Sequence, residues 1–268
     1  MTGGYLFKKD GFLFKHHISE NLQKNAYSMH SHNVYELLYF LDGDATHVIE
    51  NRKYKLKKGD LILIRPYQYH FIQIDSTSRY ERFGALFDTE KHKIEGVDLI
   101  PEDIEIINID GNAIAKDIFH KCDIYQKNCS EELLAPILSH LLSELFFSLH
   151  TFPTSKSKES TSLSPLISKA LQYINENICT ICDMQEIADH LFISESYLFR
   201  QFKKELHQTP KKYILEKRLL MAQKMLSDGE KPTEVSLKCG FSDYTTFYRN
   251  YTDFFGYSPK ETALNVFS

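Results

Sequence analysis

The stretch Ser194-Glu-Ser-Tyr-Leu-Phe-Arg-Gln-Phe-Lys203 resembles a second stretch that lies 49 positions later, Asp243-Tyr-Thr-Thr-Phe-Tyr-Arg-Asn-Tyr-Thr252. The shift brings Leu198 onto Phe247, Arg200 onto Arg249, Phe202 onto Tyr251 and Pro210 onto Pro259. Each copy predicts a short helix, a tight turn and a longer helix, and two copies are too few for a solenoid. The sequence therefore predicts two helix-turn-helix motifs joined by one long helix from Pro210 to Asp228.

The longer helix of the first copy has one apolar face and one polar face. Ser194 is the expected N-cap residue. Leu198, Phe202 and Leu206 recur at four-residue steps, so they share one face that must be buried. Ser196, Arg200 and Lys203 share the opposite face, where a guanidinium and an ammonium suit guanine edges and phosphates.

The second copy repeats this arrangement after a turn at Gly240-Phe241, where glycine permits a left-handed backbone. The predicted inward-facing residues are Phe247, Tyr251 and Phe254. The predicted outward-facing residues are Thr245, Arg249 and Thr252, with Tyr244 and Tyr248 at the edge. Two such helices about 34 Å apart would enter successive major grooves of a DNA duplex. An all-helical bundle with solvated arginines is the competing interpretation, and the matching arginine positions favour DNA.

Two short motifs, Gly240-Phe-Ser-Asp243 and Gly256-Tyr-Ser-Pro259, complete a specific pattern. With Ile187-Ala188, Ser194–Lys203, Thr209-Pro210, Arg218, Ala222 and Phe247-Tyr-Arg249, they cover about the last 100 residues of the chain. This part of the sequence resembles the AraC/XylS family of bacterial transcription regulators. The resemblance implies a double helix-turn-helix domain that binds asymmetric sites in double-stranded promoter DNA, and RNA polymerase as a further partner.

The resemblance also implies which side chains contact DNA. Carried over by position, the base contacts fall on Ser196, Phe199, Arg200, Tyr244, Thr245, Tyr248 and Arg249, and the polar face adds Lys203. The sequence departs from the family pattern at two places. His207 stands where glycine is usual, which puts the helix C-cap geometry in question, and Thr262-Ala263 replaces the usual Tyr-Arg, which weakens any contact assigned there.

The first third of the chain predicts short antiparallel strands. The predicted strands are Tyr35–Leu41, Ala45–Glu50, Tyr54–Leu56, Leu61–Ile64, His70–Ile74 and Tyr80–Phe87. Turn residues separate them and no helical pattern intervenes, so a sandwich or barrel is expected. The fold class predicted for the whole chain is α+β with two domains: an antiparallel cupin-like β-barrel followed by helices, and an all-α double helix-turn-helix domain.

Four polar residues in the β region form a candidate site. His30 and His32, two apart on an expected strand, face the same side, and Glu36 points there too. His70 from another strand completes a set suited to zinc, iron or manganese. The segment resembles the cupin barrel motif and the sensor domain of AraC-type regulators. Three interpretations stay open: a polar effector pocket, a divalent metal site and purely structural histidines. The preferred interpretation assigns no cofactor.

Aromatic residues near this cluster suit a carbohydrate effector, although aromatic strand residues are more often core. They are Tyr35, Tyr39, Tyr54, Tyr67 and Tyr69. A carbohydrate is therefore one candidate for the effector class.

The middle of the chain changes to helical spacing. Helices are predicted over 112–128 and 131–150, and the second carries an apolar stripe of Leu134, Ile137, Leu138, Leu141, Leu145 and Leu149. The stripe either packs on its own domain or supplies part of a dimer contact. The predicted domains are 1–110 (effector-sensing), 111–150 (coupling or dimerisation), 151–164 (a Ser/Thr/Lys-rich linker) and 165–268 (DNA-binding).

Charge distribution decides whether DNA binding is compatible with the composition. The 268 residues carry 32 Lys+Arg and 36 Asp+Glu, a formal charge of −4 that by itself argues against a nucleic-acid partner. Residues 165–268, however, carry 13 of each, so the whole excess lies in residues 1–164. The acidity therefore belongs to the sensor region and does not exclude DNA binding.

Other global features favour a cytoplasmic protein. No apolar run approaches the roughly 20 residues that span a bilayer, and the N-terminus lacks the order of a secretory signal. The five cysteines are an odd number at scattered spacings, which fits reduced thiols.

Two functions from different classes are carried forward. The leading hypothesis is a sequence-specific transcription regulator, an activator by resemblance, that forms a homodimer and responds to a small-molecule effector. The alternative is a metal-dependent cupin enzyme with a helical interaction domain. No nucleophile–base pair and no phosphate-binding glycine loop in the sequence supports catalysis.

Overall fold

Contacts within the chain divide it into two compact units. The computed structural model describes residues 2–20, 29–77, 79–151, 155–156 and 160–262. The N-terminal unit comprises residues 1–26 and 31–161, and the C-terminal unit comprises residues 27–30 and 162–268. An antiparallel β domain followed by helices, and then an all-helical domain, is the order that the sequence predicted, and it is confirmed.

Short antiparallel strands build the first part of the chain. The described strands are β1 (Thr2–Lys9), β2 (Phe12–Ser19), β3 (Tyr35–Asp42), β4 (Ala45–Ile49), β5 (Arg52–Lys55), β6 (Asp60–Ile64), β7 (His70–Ile74), β8 (Tyr80–Phe87), β9 (Ile106–Asn108), β10 (Ser155–Lys156) and β11 (Ser160–Ser162). One sheet has the order β1-β2-β8-β3-β6-β9-β10, and the other has the order β11-β5-β4-β7. Six of these strands match predicted ones to within one residue at either end, except that β5 begins two residues before the predicted Tyr54.

The larger sheet is covered on both faces, which explains its apolar central strands. Leu38, Phe40 and Ile62 pack towards the smaller sheet, in a core with Ile72 and Ile74 of β7. The alternate residues of β3 and β6, Leu37, Tyr39, Leu61 and Leu63, pack in a second core with helices α1 (Ala113–Asn128) and α2 (Glu131–Thr151). Strands buried on both faces read as continuous apolar runs, as Leu61–Ile64 does.

Helix α2 uses its apolar stripe inside its own unit. Leu134, Leu138, Leu141, Leu145 and Leu149 are buried, and Ile137 packs partly against the same core. Of the two interpretations of the stripe, the structure therefore shows packing on its own domain. The exposed apolar side chains of this helix are Leu133 and Phe147.

Helix α2 also corrects one expectation about membranes. By length and composition, Glu131–Thr151 is apolar enough to cross a membrane, and 56% of its most apolar window is buried inside the structure. His140 and Glu144 interrupt the apolar residues of this helix, so it does not form one continuous apolar run in the sequence. Burial in the core accounts for the apolar composition.

The predicted linker 151–164 contains short strands. Ser155 and Lys156 of β10 pair with Asn108 and Ile107 of β9, and β11 lies next to β5. Residues 152–154 and 157–159 of the predicted linker lie outside the described residues.

The C-terminal unit consists of helices arranged as the internal repeat predicts. They are α3 (Pro165–Glu176), α4 (Met184–His190), α5 (Glu195–Leu206), α6 (Pro210–Ser227), α7 (Pro232–Lys238) and α8 (Tyr244–Phe255), followed by a 3-10 turn at Pro259–Glu261. Helices α4 and α5 form the first helix-turn-helix motif, α7 and α8 form the second, and α6 joins them.

The equivalent apolar positions of the two motifs are buried alike, with one correction. Leu198 and Phe202 are 0% exposed, and so are their counterparts Phe247 and Tyr251. Phe254, predicted to face inward, is 39% exposed, and Phe255 packs against the core instead. The reason is helical geometry, because Phe255 follows Tyr251 at the four-residue step that the rest of this face uses.

Candidate nucleic-acid interface and effector site

Helix α5 presents the predicted polar face to solvent. The side chain of Ser194 caps the helix, and its Oγ accepts a hydrogen bond from the backbone N–H of Tyr197 at 3.3 Å. Burial of Leu198, Phe202 and Leu206 fixes the rotation of the helix about its axis. The predicted contact residues Ser196, Phe199, Arg200 and Lys203 are all exposed as a result.

Helix α8 presents the second predicted set. Asp243 is its N-cap and accepts a hydrogen bond from the backbone N–H of Thr246 at 2.7 Å, which lowers the pKa of the Asp243 carboxyl. Thr245, Tyr248 and Arg249 are exposed. Tyr244 is half-buried, with its ring 6.0 Å from that of Phe247. Seven of the eight predicted DNA-contact residues are thus exposed on the two longer helices.

The two equivalent arginines keep their guanidinium groups available. Among the described residues, Arg200 and Arg249 take part in no ion pair. The Cζ atom of Arg200 lies 5.8 Å from the ring centre of Tyr197, one turn earlier on the same helix face. A guanidinium that has no internal carboxylate partner can offer its fork of donors to a planar acceptor pair such as a guanine edge.

The family departures at His207 and Thr262 have structural explanations. His207 forms the C-cap of α5 with φ 54, a left-handed conformation like that of Gly256 (φ 80) after α8. The cap geometry is therefore the glycine-type geometry despite the side chain. Thr262 is buried, and its hydroxyl bonds that of Tyr251 at 2.7 Å, so it supports the core. Ala263 lies outside the described residues.

The four predicted effector residues, His30, His32, Glu36 and His70, lie close together. Glu36 Oε2 lies 3.2 Å from His32 Nε2 and 3.0 Å from His70 Nε2. Glu36 shares a face of β3 with Leu38 and Phe40, and His70 shares a face of β7 with Ile72 and Ile74. The cluster therefore lies at one end of the apolar core between the two sheets, where polar residues continue the inward-facing rows.

Hydrogen bonds define the chemistry of this cluster. Burial by itself raises the pKa of the Glu36 carboxyl, but the hydrogen bonds from His32 and His70 outweigh it and hold that pKa well below its ordinary value. The other ring nitrogens face backbone carbonyls: His32 Nδ1 donates to Val34 O at 2.9 Å, and His70 Nδ1 donates to Gln68 O at 3.0 Å. These local bonds orient both rings so that each Nε2 faces the Glu36 carboxylate.

This donor set fits a divalent metal ion. The candidate ligand atoms of His30, His32, Glu36 and His70 lie within 4.8 Å of one another. Imidazoles and a carboxylate suit iron, manganese or zinc. Metal-bound histidines usually donate the remaining N–H to a carbonyl or carboxylate, as His32 and His70 do here. The same atoms can equally form a polar anchor for a small molecule.

The structure changes the predicted basis of the site in two respects. His30 is exposed, and His32 precedes β3 instead of lying on a strand. The expectation that both histidines face one side of a strand was therefore wrong. His32 reaches Glu36 because the local bond to Val34 O orients its ring.

Sequence reasoning missed His47, which is buried and stacks on His70 with ring centres 6.0 Å apart. The alternation Ala45, His47, Ile49 along β4 could have identified it, because both neighbours belong to the inter-sheet core. Of the candidate sugar-facing tyrosines, Tyr39, Tyr54 and Tyr69 are buried. Tyr39 stacks on Phe119 of α1 at 4.3 Å, so these rings serve the core.

Comparisons with known proteins match both parts of the chain. Residues 187–265 match the family model of a helix-turn-helix domain, and residues 16–91 match that of an AraC-like ligand binding domain. The transcriptional regulator ArgR of Pseudomonas aeruginosa is 37% identical over 37% of this chain, a match that spans 31% of the length of that relative.

Two relatives match over most of both chains. The transcriptional activator RhaS of Klebsiella pneumoniae is 21% identical over 91% of this chain and 90% of that protein. The raffinose operon transcriptional regulatory protein RafR of Pediococcus pentosaceus is 23% identical over 84% of this chain and 83% of that protein. Both matches therefore include the β part and the helical part of this chain.

Proposed function

We propose that this chain, which belongs to the AraC/XylS family of transcriptional regulators, binds promoter DNA through α5 and α8 and activates transcription in response to a small molecule. One observation carries the proposal: two helix-turn-helix motifs of one unit each expose an arginine at the equivalent position, Arg200 and Arg249. The alternative of a metal-dependent enzyme is not adopted, because the family is one of transcription regulators.

The proposed mechanism is a population shift. The effector binds one arrangement of the protein more tightly, and only that arrangement presents both recognition helices to DNA productively. RNA polymerase is the proposed partner in activation, a homodimer is the proposed assembly and the cytoplasm is the proposed location. The activator RhaS, which matches over most of its length, supports activation.

The full chain is first used to select a binding site from genomic fragments. Its affinity for that site is then measured by gel shift. Arg200→Ala and Arg249→Ala should each weaken binding by about 1–3 kcal/mol, because each removes one bidentate base contact. Lys224→Ala is the matched control, since it removes an exposed cation from the connecting helix α6. If both arginine variants bind as tightly as the parent, α5 and α8 are not the recognition helices.

The proposed effector site is the cluster of His30, His32, Glu36 and His70, and the proposed effector class is a carbohydrate. The raffinose operon regulator RafR supports this class, because it matches the sensor part as well as the DNA-binding part. Imidazole and carboxylate groups at the end of an apolar core are suitable donors and acceptors for sugar hydroxyls.

A divalent metal ion is the second candidate ligand, favoured by the two Nδ1–carbonyl bonds that direct both Nε2 atoms at Glu36. Titration calorimetry of the full chain with raffinose, and separately with Zn²⁺ and Mn²⁺, distinguishes the candidates. A sugar effector predicts heat from raffinose that Glu36→Gln abolishes. Metal binding that His32→Ala abolishes, without sugar binding, would replace the carbohydrate by the ion.

A further inference from the structure

We propose that Arg218 is a positioning residue for DNA binding: it ties the two helix-turn-helix motifs together and so sets the spacing of α5 and α8. Arg218 lies on α6, the helix that joins the two motifs, and is half-buried. This inference rests on the proposed DNA-binding function, but it concerns a residue that the predicted contact set does not include.

The guanidinium of Arg218 uses three different nitrogens on three backbone carbonyls. Nε donates to Ile178 O at 2.8 Å, and Nη2 donates to Ile181 O at 2.6 Å. Both carbonyls belong to the loop between α3 and α4, directly before the first motif. Nη1 donates to Gly240 O at 2.8 Å, in the turn of the second motif. One side chain therefore binds the loop that leads into the first motif and the turn of the second motif at the same time.

Electrostatics favour a structural cation at this position. Among the described residues, no carboxylate pairs with Arg218, so its charge faces the carbonyl dipoles. Hydrogen bonds from a charged donor are stronger than neutral ones. The rigid planar fork of arginine can serve three acceptors in different directions, and the single ammonium of lysine cannot match that geometry.

The two segments also touch directly. Gly240 has φ 77, and a Cβ atom placed on it would lie 2.3 Å from Cys179 O. The first motif holds Phe192 in the same left-handed conformation (φ 56) at its own turn. Left-handed backbone alone therefore does not demand glycine here. Glycine is required at 240 because the loop of the first motif approaches so closely, and Arg218 bonds across that contact.

A fixed contact between the motifs has a consequence for DNA binding. Two linked binding modules gain affinity over one only if both engage at once, and that gain depends on their geometry. Successive major grooves on one side of a duplex lie about 10–10.5 base pairs apart. Loss of the Arg218 bonds should therefore weaken binding to a complete site while leaving each motif able to bind its own half.

The test uses the full chain, a selected DNA site, and the same site with the bases under one recognition helix scrambled. Arg218→Met should lose about 10-fold or more in affinity for the complete site, and less than about 2-fold for the half-site. Arg218→Lys should resemble Arg218→Met although it keeps the charge. The salt dependence on the half-site should be unchanged, because a lost phosphate contact would reduce the slope by about 1.

DNA sites with different half-site separations distinguish a positioning role from a general loss of stability, because lower stability would not change the preferred separation. Inserting one base pair between the half-sites should weaken the DNA affinity of the parent about 10-fold. The affinity of Arg218→Met should fall clearly less, because the loosened motifs tolerate a different separation. Gly240→Ala, which forces the loop and the turn apart, is the second variant should Arg218→Met fail to fold. It should show the same tolerance.

Each outcome has a definite meaning. Equal affinity of parent and Arg218→Met for both DNAs, or an equal loss on both, overturns the positioning role. An unchanged spacing preference in the variants overturns it as well. Failure of the parent protein to bind any selected DNA instead rejects the DNA-binding function itself.

Discussion

His207 and Gly256 occupy the same position after the recognition helices of the two motifs, and both adopt left-handed backbone, with φ 54 and φ 80. A residue with a Cβ atom is strained in this conformation, and glycine is not. We therefore expect His207→Gly to raise the free energy of unfolding by about 1 kcal/mol. Urea denaturation followed by circular dichroism measures the change.

Gly256→Ala, at the equivalent position after α8, is the matched control for His207→Gly. A Cβ atom on Gly256 would meet nothing within 4 Å, so Gly256→Ala introduces backbone strain without a clash. It should lower the free energy of unfolding by about 1 kcal/mol. A stabilising Gly256→Ala, or a destabilising His207→Gly, would mean that side-chain contacts and not backbone strain govern this position.

Glu81 predicts a pH dependence of stability. Burial by itself raises the pKa of its carboxyl. The hydrogen bonds from Arg79 and His16 outweigh that effect, so the folded-state pKa lies below the ordinary value. The stability that the carboxylate contributes is then fully present above about pH 4.3 and is lost as the pH falls through the lower folded-state pKa. Because Glu81 is partly exposed, we expect a contribution of about 1 kcal/mol or less.

The measurement compares the parent with Glu81→Gln by urea denaturation between pH 7 and pH 3. The difference in unfolding free energy should be constant from pH 7 to about pH 5 and then shrink towards zero. Glu102→Gln, at an exposed position, gives the baseline for removing a surface carboxylate. A difference that grows on acidification would contradict the assigned direction of the pKa shift.

Among the elements, α2 allows the clearest test of packing. Leu145 is 0% exposed within the core of the N-terminal unit, and Leu133 on the same helix is 59% exposed. Leu145→Ala should destabilise the protein by about 2–5 kcal/mol, because it leaves a cavity. Leu133→Ala should change the stability by about 0.5 kcal/mol or less.

Thermal unfolding of the two leucine variants gives the comparison directly. A large loss in Leu133→Ala with a small loss in Leu145→Ala would show that the helix is rotated relative to the structure described. A concentration-dependent loss confined to Leu133→Ala would instead place the exposed face of α2 in an oligomer contact.

At the scale of the whole molecule, charge distribution predicts how selective DNA binding is. Residues 165–268 carry 13 basic and 13 acidic residues, and residues 1–164 carry the net −4. Without a basic domain, binding to random DNA should be weak, and affinity should depend on a few placed cations and helix N-termini.

Gel shifts at 50–200 mM salt on specific and random DNA measure this selectivity. We expect a specific site to bind about 10³-fold or more tighter than random sequence at physiological salt. Comparable affinity for both DNAs would show that placed cations do not confer sequence selectivity.

Much of the C-terminal unit could be predicted from local patterns. The repeat at 49 positions is visible directly in the sequence. Spacing within a single helix or turn then predicts the caps Ser194 and Asp243 and the buried positions Leu198 and Phe202. Phe254 shows the limit of such reasoning, because three-residue and four-residue steps both lie near one helix face and only packing chooses between them.

The N-terminal unit was less predictable. Strands β3, β4, β6, β7 and β8 follow from apolar runs and turns, whereas β1, β2 and β9 need their partners to be recognised. The first two form a hairpin that joins the sheet through β8. Pairing between distant strands is decided by the whole sheet and leaves little trace in a short window of sequence.

The sequence by itself determined the two-part organisation, the paired helix-turn-helix motifs and the identity of the exposed arginines, because periodicity and capping act over a few neighbouring residues. Only the tertiary structure decided that Glu36 lies between His32 and His70, since His70 comes from the opposite sheet. It also decided that Arg218 bonds carbonyls 40 and 22 positions away, in the loop before the first motif and in the turn of the second. Both arrangements depend on how distant segments pack, which local patterns do not encode.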